Sequence, residues 1–275
     1  MVELARRPTE AGFETVRSAD GTSIAYEVSG AGRPLLLIGG ALNDRNSPIA
    51  GTPMVTLLAD RYRVYAFDRR GRGNSGDTAP YAPEREIEDV AALARVAGEP
   101  VLLFGHSSGG GLALQAAASG VPVAKVCVYE PPYSTSAEDE AGSAEAEQHL
   151  TALLAAGERD AAVVFFMAMT GMPDEMIEEM KGTPFWAEAT RIASSLAYDT
   201  QVMRMGGTSY VPATRIARIE APVLAIAGER SPEFMREAGR QIAAAAPAGR
   251  YLEAEGQDHM VPADYVAGQL RSWFG

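Results

Sequence analysis

An apolar run that must turn at once into a helix dominates the stretch PVLLFGHSSGGG, from Pro100 to Gly111. VLLF reads as a strand, and GGGLALQAAASG, apolar and opened by small residues that allow close packing, reads as the helix behind it. Between them, Gly105-His106-Ser107-Ser108-Gly109 satisfies G-x-S-x-G, the sharp turn that presents a serine hydroxyl above a sheet. Only Ser107 fits that register. For Ser108 the residue two before would have to be glycine, but it is His106, whose side chain the cramped turn cannot place.

The rest of the chain supplies the sheet that such a turn needs. FETVR, TSIAYEV, PLLLIGG, YRVYAFD, PVLLFGH, VAKVCVYE, PVLAIAGE and GRYLEAE read as strands. They alternate with helical patterns, which argues for a mostly parallel sheet with helices on both faces. PEREIEDVAALARVAG sets Ile87, Val90, Ala94 and Ala97 on one face, with Pro83 at its start and acids in its first turn. VPADYVAGQLRSWF does the same with Val266, Leu270, Trp273 and Phe274.

From Tyr133 to Ile219 the alternation stops, and helical stretches such as AEAEQHLTALLAAG and PFWAEATRIASSLAYDTQVM take over. The organisation expected is a core at residues 1–132 and 220–275 with a helical cap at 133–219. The insertion holds methionines 167, 169, 172, 176, 180, 203 and 205 beside Phe165, Phe166 and Trp186. These either glue small helices together or line a pocket for an apolar ligand, and the two roles are compatible.

Composition narrows the function. A chain of 275 residues with 47% hydrophobic and 22% charged side chains has ample material for a packed core. A net charge of −12 repels phosphate backbones and anionic lipid, so neither nucleic acid nor membrane is an expected partner. The N-terminal MVELARRPTEAGF has no apolar targeting core, and a cytoplasmic location is expected. Cys127, the single cysteine, sits in the apolar VAKVCVY as core filler. The histidines, at 106, 149 and 259, are not joined by metal-ligand spacing, and neither a metal nor a cofactor is expected. Gly71, Gly73 and Gly76 in GRGNSG mimic a dinucleotide fingerprint, but Pro80 and Pro83 delay the helix that would receive a pyrophosphate. That segment reads as an irregular loop.

A serine is a poor nucleophile until a base takes its proton. In the order serine, acid, histidine, the base falls near the C-terminus, where His259 stands in EGQDHMVPADY. His106 is too close to Ser107 in sequence to turn back on it, and His149 lies on a solvated helix face. Acyl transfer also needs donors for the developing oxyanion. The Ser108 amide is one. The other is expected from Gly39-Gly40-Ala41, at Ala41, unless those glycines form a plain turn.

Together, LLLIGGA, FDRRGRGNSG, GHSSGG, the helical insertion after YEPPY and GQDHMVP resemble the α/β-hydrolase superfamily over nearly the whole chain. The resemblance implies a three-layer fold and a serine–histidine–acid triad. Two positions depart from it: the usual histidine before the oxyanion-loop glycine is Gly39, and the usual aspartate after the penultimate strand is Ser231. The acid must then come from elsewhere. Glu130, closing VCVYE, is the first candidate, because some α/β-hydrolases carry their acid there; Glu229, in AGER, is the second.

The chain is expected to be a single α/β domain acting as a serine hydrolase, Ser107 forming the acyl-enzyme and His259 serving as base. The expected substrate is an ester, thioester or lactone of a small to medium apolar molecule. Carbon–carbon bond hydrolases and cofactor-free haloperoxidases share such a triad, and a non-hydrolytic binding protein or cyclase would share the fold. Oligomeric state stays open, a homo-oligomer included.

Overall fold

The computed structural model describes residues 12–275; the stretch read above for a targeting segment lies almost entirely outside them. In chain order the elements are β1 (Glu14–Arg17), β2 (Ser23–Ser29), β3 (Arg33–Ile38), α1 (Thr52–Leu58), β4 (Tyr62–Phe67), α2 (Pro83–Ala97), β5 (Val101–His106), α3 (Ser108–Ala118) and β6 (Val123–Tyr129). Then come α4 (Ala137–Ala155), α5 (Arg159–Met169), α6 (Asp174–Met180), α7 (Pro184–Arg191), α8 (Leu196–Met203), α9 (Ala213–Ile216), β7 (Val223–Gly228), α10 (Glu233–Ala245), β8 (Gly249–Ala254) and α11 (Ala263–Phe274). The strands fall where the sequence places them.

They form one sheet in the order β1-β2-β4-β3-β5-β6-β7-β8. β2 runs antiparallel to both its neighbours, and the remaining pairs are parallel. The central strands RPLLLI, VLLFGH and VLAIAG are near-continuous apolar runs because both their faces are covered. Alternate residues serve opposite faces. Leu36 and Ile38 join the α2, α3 and α10 side, with Val90, Leu112 and Ile242; Leu35 and Leu37 join the α1 and α11 side, with Met54, Leu270 and Phe274. This is the three-layer α/β-hydrolase architecture.

Between β6 and β7 the insertion forms α4 to α9, opened by a capping box in which Ser136 and Asp139 satisfy each other's backbone amides. A bridge between Ser134 and Tyr210 brings its entry and exit together. PFWAEATRIASSLAYDTQVM is not one continuous helix: a short 3-10 turn at Ala193–Ser195 separates α7 from α8. The break brings both Ser195 and Asp199 within reach of the core's Arg72. Two small apolar clusters in the insertion, around Val163 and Leu150, also take in Leu42, from the loop after β3. Among the described residues no helix is long and apolar enough to cross a membrane.

Candidate active site

Ser107 stands alone between β5 and α3 at φ 55°, ψ −130°, a conformation few non-glycine residues adopt. Close packing explains the glycines on either side. A Cβ on Gly105 would lie 2.3 Å from the Gly109 carbonyl oxygen, and one on Gly109 2.3 Å from that of Ile38. The Ser107 amide donates to Tyr129 O at 2.9 Å, tying the turn to β6. Directly after that strand comes Glu130, also at positive φ (47°), with its own amide donating to Ile226 O on β7.

The carboxylate of Glu130 is buried and aimed at the histidine. Its Oε2 lies 2.7 Å from His259 Nδ1, and its Oε1 accepts from the Gly228 amide at 2.6 Å. A carboxylate oxygen accepts in such a contact, so with Nδ1 as the donor the other ring nitrogen, Nε2, is the one left to take a proton. Glu229, by contrast, is exposed and caps the Gly256 amide at 2.8 Å. Ser231 is buried, and its hydroxyl has no hydrogen-bond partner among the described residues.

His106 serves the second histidine rather than the serine. Its Nε2 donates to the His259 backbone carbonyl at 3.2 Å, and the two rings lie 4.8 Å apart. Burial, with a smaller contribution from His259, lowers its pKa from 6.5 to about 3. Between those values the unfolded chain binds a proton that the folded chain refuses, so stability is full above pH 6.5 and is lost as pH falls toward 3. Urea unfolding should show His106→Phe losing up to about 1.4 kcal/mol per pH unit less than the parent across that window. Equal slopes would mean His106 is protonated in the fold. His149 is exposed on α4, against the edge of Phe165, and Cys127 is fully buried, burial raising its thiol pKa.

Ser107 and His259 open together on two cavities, of about 290 and 500 Å³. Ala41, Phe166 and Thr170 border both. Met169 and Met203 line the smaller, and Met167, Met172 and Met180 the larger, so five of the seven insertion methionines face the site. Met205 belongs instead to the main core, and Met176 is 52% exposed.

The FDRRGRGNS segment holds what the sequence reading missed. It is an irregular loop, but Arg69, Arg70 and Arg72 are buried within it. Arg69 grips Glu86 with Nε and Nη2, and Arg70 grips Asp89 the same way, so these α2 acids serve arginines rather than the helix dipole. Asp199, on α8, accepts from Arg69 Nη1 at 2.7 Å, from Arg72 Nη2 at 2.6 Å and from the Ser108 hydroxyl at 2.6 Å. Burial pushes the Asp199 carboxyl up, but Arg72 and Arg69 outweigh it and hold it below the usual range. Ser108, expected to matter only through its backbone, thus also links the turn to the insertion. Three arginines within RRGR, ahead of an acid-rich helix, were the available signal.

The sequence profile described as "Alpha/beta hydrolase family" matches residues 35–267. Among solved structures, an alpha/beta hydrolase from Sphaerobacter thermophilus DSM 20745 is 42% identical, with a TM-score of 0.85 over 95% of this chain and 100% of that one. The esterase RhEst1 from Rhodococcus sp. ECU1013 shares the fold at 22% identity, with a TM-score of 0.66 over 95% of this chain and 98% of its own. Of curated proteins, the proline iminopeptidase PfmaB of Pestalotiopsis fici is 36% identical over 103 residues, 35% of this chain and 36% of that protein. A non-heme haloperoxidase of Rhodococcus erythropolis is 35% identical over 98 residues, 35% of each chain. The chain thus spans about a third of the length of the curated relatives it matches.

Proposed function

Because the chain belongs to the alpha/beta hydrolase family, we propose that it is a serine hydrolase cleaving an ester, thioester or lactone with apolar groups on both sides of the reacting carbonyl. The observation that carries this reading is the contact of the buried Glu130 carboxylate with His259, which lines the same two methionine-lined cavities as Ser107. Ser107 Oγ attacks the carbonyl carbon while its proton passes to His259 Nε2, and the C=O electron pair becomes an oxyanion. The Ala41 and Ser108 amides, neither with a hydrogen-bond partner among the described residues, receive that charge. Collapse of the oxyanion breaks the bond to the leaving oxygen or sulfur, which takes the proton from His259. Water, deprotonated by the same nitrogen, then releases the acid.

A fluorophosphonate labelling assay run beside a panel of aryl esters of increasing chain length tests this. Labelling at Ser107 with turnover of at least one ester is expected; stoichiometric labelling without any turnover would favour a binding protein on the same fold. Phe166, shared by both cavities, serves to probe substrate contact. Phe166→Ser should raise KM for long acyl esters roughly tenfold through lost apolar contact. Acetate esters should change much less, and equal effects on both would make the insertion merely structural.

A further inference from the structure

On the reading that Ser107 forms an acyl-enzyme, we propose that Arg72 is a positioning residue that aims and polarises the Ala41 amide, and that Asp199 of the cap holds Arg72 in place. The argument rests on one peptide plane. Arg72 Nη1 donates to Gly40 O at 2.5 Å. Across a trans peptide the carbonyl of Gly40 and the N–H of Ala41 point in opposite directions, so fixing the oxygen from behind fixes the donor in front. A guanidinium on that oxygen also draws electron density from the amide nitrogen and makes its N–H a stronger donor. Arg72 is fully buried, where its charge is weakly screened.

Within the loop, Gly40 O also meets the Asn43 amide at 3.4 Å, but the Asn43 side chain goes to Ala41 O at 2.7 Å rather than to that oxygen, and Gly39 at the first position has no side chain to offer. Gly40 cannot carry one either: a Cβ there would lie 2.9 Å from that of Ser107. Support comes from across the interface instead. Arg72 donates through Nε to Ser195 Oγ at 3.1 Å and through Nη2 to Asp199, both residues of the cap. The other oxygen of Asp199 accepts the Ser108 hydroxyl. One carboxylate therefore steadies the two residues whose amides face the oxyanion, Ala41 through Arg72 and Ser108 directly.

The test compares Arg72→Met with the parent on an aryl ester and on an aryl trifluoromethyl ketone. The ketone adds to Ser107 with transfer of the serine proton to His259 and leaves a stable oxyanion in the same position. Removing one oxyanion donor costs about 100- to 1,000-fold in kcat, so weakening one should cost roughly 10- to 100-fold. The inhibition constant for the ketone should rise by a similar factor while KM stays within about threefold, and Arg72→Lys should recover part of both losses. Fluorophosphonate labelling of Ser107 should persist, which separates this proposal from the reading beneath it: turnover that survives in Ser107→Ala would sink that reading instead. Should Arg72→Met unfold, Arg72→Met combined with Asp199→Asn restores the charge balance of the buried group, with Arg69 still paired to Glu86, and because Asp199 also holds the Ser108 hydroxyl the losses in kcat and ketone affinity should be at least as large. Unchanged kcat and ketone affinity, a loss confined to KM, or failure of the charge-balanced pair to fold would each overturn the proposal.

Discussion

Replacing Ser107 with alanine is expected to lower turnover of the best aryl ester by about four to six powers of ten and to abolish fluorophosphonate labelling. The size follows from what is removed. The histidine, the carboxylate and the two amides remain, but without the hydroxyl there is no atom to form the acyl bond, and only background hydrolysis within the cavity survives. Ser107 keeps its φ of 55° as alanine, and its backbone bond to Tyr129 is independent of the side chain. The melting temperature should therefore move by no more than a few degrees. Near-normal turnover in a folded Ser107→Ala protein would rule out the proposed mechanism.

Glu130→Gln should lower kcat by roughly three to four powers of ten with KM within about threefold. Glutamine's carbonyl can still accept from the Gly228 amide, which leaves its NH2 group facing His259 Nδ1. That nitrogen must then accept, the ring proton moves to Nε2, and the serine loses its base. Glu229→Gln, at an exposed residue that caps Gly256, should change kcat less than twofold. The reverse ranking would move the acid to Glu229.

The parts of the site legible in the sequence are those whose chemistry is local. Ser107 is announced by glycines forced on it by close backbone approach, and the strands by apolar runs buried on both faces. Glu130 needed elimination as well as pattern, because Ser231 occupies the position after β7. Asp199 was not legible at all: it lies 91 residues from the Ser108 hydroxyl it accepts, on a helix with no polar pattern to mark it. The buried arginines were hidden for a related reason. A charged loop reads as solvated until the acids that pair with it, Glu86, Asp89 and Asp199, are placed beside it in space.

Ser107 and Glu130 each follow directly on one of two adjacent, hydrogen-bonded strands, β5 and β6, with His106 paired to Tyr129 in the ladder between them. Their spacing is thus a property of the sheet, the part of such a fold that exchanges its amide hydrogens most slowly. Asp199 and Ser195 come instead from the helices over the cavity, whose own apolar clusters are smaller than either core of the sheet and which reach the main core through Val202 and Met203 of α8. Any fluctuation that lifts those helices would leave serine, imidazole and carboxylate assembled while withdrawing the partners of Arg72. The molecule would then pass through a state that still holds its nucleophile ready but has lost the support behind one oxyanion donor, so that reactivity and catalytic power would part company on the timescale of cap opening.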